Sequence, residues 1–310
     1  MYISNENFWL ELFVAFVTIL FGVWVYRYFY KDDNKEGFQQ SQPYVFKHKD
    51  CDQIYDPFYI EQYDILYKTD KYSDDDYMAV IQHTSPSSSA GHSFLDIGCG
   101  TGTLLRKLET DGYPVFGIDK SRAMVEEAQS RLIYGEVICD DVLRDPMLYE
   151  NDSFSHILCT HFTLYEIQDK LKLFRQCYNW IRSGGFFLVH VVEPEHFNMV
   201  VPLSDIYKHV KKHDSQQNRV TNTEMERPTY TYTNHYMFDD PNKEITQIEK
   251  FETKQNVRQN EKTMYMISKR ELYTMAAQCG FQVYAENNYK YIDDIYQTLV
   301  IFIKPMGGSI

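Results

Sequence analysis

The stretch FLDIGCGTGTLLRKL, residues 94–108, places Gly98, Gly100 and Gly102 between an apolar run and a helix-like run. Glycines so placed permit a sharp turn and let a backbone approach a ligand closely. The loop's N–H groups can then face a ligand, and the following helix offers a partly positive N-terminus to a carboxylate. The next apolar run, YPVFGID, ends in Asp119, where a carboxylate can accept hydrogen bonds from both hydroxyls of a ribose. The pattern is not the dinucleotide fingerprint GxGxxG, because Thr103 stands at its third glycine position.

The surrounding elements alternate as in a doubly wound sheet. Strands are expected at SFLDIG, YPVFGID, GEVICD, FSHILCT and GFFLVHVVE, with helices over 103–110, 121–132 and 170–181. After Glu193 the alternation stops. Residues 196–228 are polar and are expected to be partly helical. TYTYTNHYMF and EITQIEKFETKQNV flank the turn DDPNKE and predict a hairpin, and KTMYMIS adds a third strand. SKRELYTMAAQCG reads as a helix closed by Gly280, followed by two last strands, FQVYAE and IYQTLVIFIKP. Upstream, helices are expected over 55–67 and 74–82, the second with acids in its first turn, and a loop over 85–91. The sum is an α/β fold with a doubly wound, seven-stranded, mostly parallel sheet and a β-rich insert after the fifth strand. Its cofactor core is expected over 93–193 and the insert over 194–267.

In LDIGCGTG the pattern is apolar-Asp-apolar-Gly-x-Gly-x-Gly, led by Asp96, and GIDKSRAM, FSHILCT and WIRSGGFFLVH follow in order. Together these resemble the class I S-adenosylmethionine-dependent methyltransferases, in their small-molecule branch, over residues 96–193. The resemblance implies a Rossmann-like sheet with S-adenosylmethionine as cofactor. Asp119 then holds the ribose, Met124 lies along the adenine face, and Asp141 reads the adenine amino group, with Asp140 the alternative one residue away. Core packing also accounts for Met124, and a turn acid for Asp141. The same resemblance places Cys99, Lys120 and Val142 against the cofactor, and Thr160 and His161 at the methyl-transfer cavity. Ser183 stands where the family usually has proline, which concerns a turn and not the cofactor.

Methyl transfer is an in-line displacement, so positioning and exclusion of water dominate, and a base is needed only for a protonated acceptor. His161 is the first choice for that base, with a cofactor-lining role as the alternative. Tyr165, Glu166, His190 and Glu193 also fall at strand ends or in loops, with His190 the more structural. The Asn/Asp-Pro-Pro-Tyr signature of amide and exocyclic-amine methylases is absent, since THFTLYE follows the fourth strand. Tyr55, Tyr59 and Tyr63 fall on one face of the first helix, which resembles a lid over the cofactor; packing explains them equally. RPTYTYTNHYMF resembles the insert of some small-molecule N-methyltransferases, which implies a small amine or sugar-amine acceptor. A non-catalytic cofactor-binding adaptor and a nicotinamide oxidoreductase are the other readings.

Composition limits the partners. The chain has 310 residues, 44% of them hydrophobic, and a net charge of −13. An acidic surface without a dense Lys/Arg run disfavours nucleic acid. The six cysteines, Cys51, Cys99, Cys139, Cys159, Cys177 and Cys279, form no CxxC pair, which argues against a zinc cluster and a disulfide framework. FWLELFVAFVTILFGVWVYRYFY, residues 8–30, is apolar over about a bilayer's width and carries aromatic residues at both edges. It reads as a single membrane helix, joined by a linker over 31–54 to a catalytic domain over 55–310. Arg27, Lys31 and Lys35 lie on its C-terminal side and no Lys or Arg precedes it, which predicts an outside N-terminus and a cytosolic domain.

Overall fold

The apolar runs FLDI, FSHILC and QTLVIFI are buried at nearly every position, as strands covered on both faces must be. They belong to a computed structural model that describes residues 14, 16–18, 21, 45–50, 53–197, 209–212, 219–289 and 297–306. The chain divides into a unit over 1–44 and a unit over 45–310. In the first unit Val14, Phe16, Val17, Thr18 and Phe21 are helical and exposed, and the rest of the expected membrane segment lies outside the described residues. Among the described residues no helix is long and apolar enough to cross a membrane.

The central strands are β2 (Phe94–Ile97), β3 (Val115–Asp119), β4 (Glu136–Cys139), β5 (Phe154–Cys159), β6 (Ile181–Val192), β12 (Gln282–Asn288) and β13 (Gln297–Ile303). They form a seven-stranded sheet in the order β12-β13-β6-β5-β2-β3-β4. β6, β5, β2, β3 and β4 run parallel, while β13 is antiparallel to β6 and to β12. The chain winds from β2 outward to β4 and returns to β5 on the other side of β2. The crevice beyond the carboxyl ends of β2 and β5 is therefore the switch point where such sheets bind ligands. Helices α3 (Thr103–Thr110), α4 (Arg122–Arg131) and α6 (Lys170–Trp180) match the expected crossovers to within a residue or two. On one face Trp180, Phe174, Phe187 and Phe302 pack together, and on the other Leu105, Leu108, Phe94 and Val80.

The hairpin of β9 (Thr231–Asp239) and β10 (Glu244–Glu252) forms as the alternation predicts, while the third strand, β11 (Asn256–Tyr265), starts well before the expected KTMYMIS. Other elements add to or differ from the expectations. Within residues 196–228, expected to be partly helical, the described residues hold strands β7 (His209–Lys212) and β8 (Val220–Glu226), and 198–208 and 213–218 lie outside the described residues. In β8, Thr223 and Met225 are buried while Glu224 and Glu226 are exposed, a period of two that the polar composition hides. Val45–Asp50, expected to be linker, is strand β1, paired in parallel with β11. The insert is thus a six-stranded sheet in the order β1-β11-β10-β9-β8-β7. The second N-terminal helix, α2 (Thr69–Thr84), starts five residues earlier than expected, so Asp74, Asp75 and Asp76 lie in its interior and Asp76 is buried.

Helix α1 (Pro57–Tyr67) is clasped to the insert sheet. Asp56 caps it by accepting from the Tyr59 N–H at 3.1 Å, and its carboxylate also takes Arg258 Nη1 at 2.7 Å. Arg258, itself buried, donates through Nη2 to the Ile54 carbonyl at 2.7 Å. Deeper in, the buried Glu249 carboxylate accepts from Tyr59 at 2.7 Å and from Tyr232 at 2.6 Å. Asp56→Ala removes a helix cap and leaves a buried guanidinium without its carboxylate. It is expected to cost about 2–4 kcal/mol in denaturant unfolding, and a loss below about 0.5 kcal/mol would contradict this clasp.

Candidate active site

The loop after β2 is tied to β3 by hydrogen bonds from its glycines. Gly98 N–H donates to the Ile118 carbonyl at 2.8 Å, Gly100 N–H to Asp119 Oδ2 at 3.0 Å, and Gly102 N–H to the Cys99 carbonyl at 2.9 Å. Of the loop's N–H groups, which are expected to face a ligand, those of the three glycines are spent inside the protein. What the glycines supply is room. A Cβ at Gly98 would stand 2.4 Å from Thr163 Cγ2, and one at Gly102 would stand 2.9 Å from Ala128 Cβ; both have positive φ.

Asp119 ends β3 with both carboxylate oxygens partly used. Oδ2 accepts from Gly100, and Oδ1 accepts from the Ser121 N–H at 2.9 Å. Ser121 in turn caps α4 at Met124 and donates to the Tyr55 carbonyl at 2.8 Å. Burial pushes the Asp119 carboxyl up to about 6, and the two backbone donors limit that rise.

A cavity of about 380 Å³ opens here, within the size range of small-molecule sites. Gly98, Gly100, Ile118 and Asp119 line its floor, and Lys120, Met124, Asp140 and Val142 one wall. Tyr55, Tyr63, Glu166, Lys262 and Tyr265 also face it, as does His161. Asp96, Cys99 and Thr160 line a smaller adjoining cavity together with Thr101, Thr103 and Leu104 at the start of α3. Gly102 lines neither, and its part is the close approach of α3 to α4.

Asp141 is absent from the lining. Its Oδ1 accepts from the Leu143 N–H at 2.8 Å and its Oδ2 pairs with Lys120 at 3.0 Å, so it closes the turn after β4. Asp140, the alternative one residue away, lines the cavity while paired with Arg144. Tyr165 and His190 are structural. The Tyr165 hydroxyl exchanges hydrogen bonds with both backbone groups of Val192, and His190 contacts Gln297 at 3.2 Å, with burial lowering its imidazole to about 3.

Three distant segments meet above Asp119. Tyr55, ahead of α1, donates to Glu166 Oε1 at 2.9 Å; Glu166 ends the short helix α5 (Thr163–Glu166). Lys262, from β11, donates to Glu166 at 2.7 Å and to the Tyr55 hydroxyl at 3.1 Å. Burial alone would lower the Lys262 ammonium, but Glu166 beside it holds it above its ordinary range. Lys262 was not legible in the sequence, because only the fold of the insert brings its strand over the sheet. His161 closes the cavity near β5, with a positive φ and Nε2 3.3 Å from Asp76 Oδ2. Among the described residues no group of His, Cys, Asp and Glu is arranged to hold a metal ion.

Residues 94–185 match the methyltransferase domain family. Phosphoethanolamine N-methyltransferase 1 of Triticum aestivum is 34% identical over 103 residues, which cover 32% of this chain and 20% of that protein. The chain spans about a fifth of the length of the curated relatives it matches. The structure of the CcbJ methyltransferase from Streptomyces caelestis superposes with a TM-score of 0.62 at 14% identity, covering 82% of this chain and 97% of that one. The S-adenosylmethionine-bound CalS10, an amino pentose methyltransferase from Micromonospora echinaspora, gives 0.53 at 15% identity over 75% and 89%. Residues 94–185 thus match a methyltransferase domain, and the fold of the chain is that of S-adenosylmethionine-dependent methyltransferases.

Asp119→Ala is expected to weaken S-adenosylmethionine binding by about 2–4 kcal/mol, tens- to several-hundredfold, if two charge-assisted hydrogen bonds to the ribose are lost. Calorimetry showing unchanged affinity would remove Asp119 from the site. Binding also depends on pH. A carboxyl at about 6 in the free protein is ionised at neutrality, so affinity should fall as pH drops through that value. The sign for folding is opposite: a raised carboxyl favours the native state at low pH and loses that contribution as pH rises through about 6. An affinity that stays flat from neutrality down to pH about 5 would contradict the assignment.

Proposed function

We propose that this chain transfers a methyl group from S-adenosylmethionine to an amine-bearing small molecule. The observation that carries the reading is the cavity itself, with the half-satisfied Asp119 carboxylate on its floor and Tyr55, Glu166 and Lys262 above it. The residues fit the cofactor. Asp119 keeps a lone pair on each oxygen for a ribose diol, Met124 and Val142 offer an apolar wall to an adenine, and Asp140 stands where its amino group can be read. When bound, the cofactor supplies an electrophilic methyl on a sulfonium.

The protein's own part is positioning and proton transfer. The acceptor lies between His161 and the Glu166–Lys262–Tyr55 group, with its nitrogen lone pair aimed at the methyl. An amine acceptor that arrives as an ammonium ion must lose a proton before it can react. His161 takes that proton, and α1 keeps water out. The amine preference draws support from the names of the wheat relative and of the amino pentose methyltransferase.

We further infer that residues 8–30 tether the enzyme to a membrane with its domain on the cytosolic side, from the charge asymmetry around Arg27, Lys31 and Lys35. Protease added outside sealed microsomes should digest the domain; full protection would reverse the orientation.

For the activity itself, the protein is incubated with methyl-labelled S-adenosylmethionine and a pool of small amines and amino sugars. Label is expected in an amine product. Tight cofactor binding with no transfer to any acceptor would favour the non-catalytic adaptor.

A further inference from the structure

The carboxylate of Asp76 is fully buried in the middle of α2. Oδ1 accepts from the Tyr289 hydroxyl at 2.5 Å. Oδ2 lies 3.3 Å from His161 Nε2, and among the described residues neither of these two atoms has another hydrogen-bond partner. Asp96 is a second buried acid, and Tyr72 contributes a ring 5.2 Å from that of His161. His190 is held neutral by burial and turned to Gln297. Among the described residues, His161 is the cation-forming side chain within ion-pair reach of Asp76. An unsatisfied buried carboxylate oxygen is costly, and it faces an unsatisfied ring nitrogen.

We propose that Asp76 is a positioning residue that fixes the His161 imidazole with its proton on Nε2 and its lone pair on Nδ1, turned to the cavity. This rests on the reading of His161 as the base for methyl transfer. A carboxylate can only accept, so the nitrogen facing it must carry hydrogen. The other nitrogen is then the acceptor, which is what a base requires. The 3.3 Å contact is off the line of a straight hydrogen bond, and contacts of this kind tighten when a site fills. Tyr289 matters because it decides which way a substituted side chain turns. In Asp76→Asn the carboxamide oxygen accepts from Tyr289, so its amino group faces His161 and donates to Nε2. The imidazole proton moves to Nδ1, and the ring can no longer accept from the cavity.

The experiment reads ring nitrogens directly and needs no acceptor. Histidine-labelled full-length protein is studied by nitrogen NMR at alkaline pH, where imidazoles are neutral. The His161 signals are assigned by their loss in His161→Gln. Wild type should show the Nε2–H tautomer, Asp76→Asn the Nδ1–H tautomer, and Tyr289→Phe the wild-type pattern. The double variant Asp76→Asn with Tyr289→Phe frees the carboxamide to turn its oxygen to the ring and should restore Nε2–H, a rescue that a packing role does not produce. A wild-type Nδ1–H tautomer, or an Asp76→Asn spectrum like wild type, overturns the proposal. The wild-type spectrum decides alone if the variant fails to fold. Calorimetric titration with S-adenosylhomocysteine runs in parallel and should give wild-type affinity for Asp76→Asn. If wild type binds no S-adenosylhomocysteine, the methyl-transfer reading falls while the tautomer result stands on its own.

Discussion

A carboxylate that must be buried and still keep lone pairs free sets the geometry of this site. Asp119 sits under the cavity with one backbone donor on each oxygen, Gly100 on one side and Ser121 on the other. One donor per oxygen is enough to hold the group in place and too little to use it up. Both donors come from turns at the carboxyl ends of adjacent parallel strands, so the arrangement exists only while β2 and β3 keep their register. The glycines serve this by shape. Their N–H groups lock the loop, and their missing side chains let Thr163 and α4 close on it.

The other half of the cavity depends on contacts that are remote in sequence. Lys262 reaches Glu166 and Tyr55 because β11 lies in a second sheet, clasped to α1 by Arg258 and by the buried Glu249. Buried polar groups of this kind are tolerated when each has its partners, and they hold one packing over alternatives. The central sheet thus fixes one side of the cavity, through Asp119, and the insert sheet the other, through Lys262. This division lets one be kept while the other varies, as expected where function is carried by loops and inserts on a rigid scaffold.

What could be read in the sequence follows the range of the interactions. Strands buried on both faces and the helices between them declared themselves locally, and the structure caps α4 with Ser121 and α7 (Lys269–Gln278) with Ser268. β1 could not be read, because VFKHKD is polar and becomes a strand only by pairing with β11 across some two hundred residues. β7 and β8 were hidden by their polar composition. The early start of α2 buries Asp76, which an acid-rich first turn would have left in water. In the site, the cavity-lining places of Gly98, Gly100 and Asp119 follow from the strand ends, and those of Met124 and His161 from what the resemblance implies. Asp140 lines the cavity and Asp141 does not, although the turn after β4 engages both side chains. Lys262 carries no local signal at all.

The measurement that tests this account most directly is a crystal structure of the chain with S-adenosylhomocysteine. The account predicts a ribose on Asp119, an adenine between Met124 and Val142 within reach of Asp140, and the sulfur facing His161 across the cavity. A nucleoside bound elsewhere, or bound here with its ribose turned away from Asp119, would contradict it.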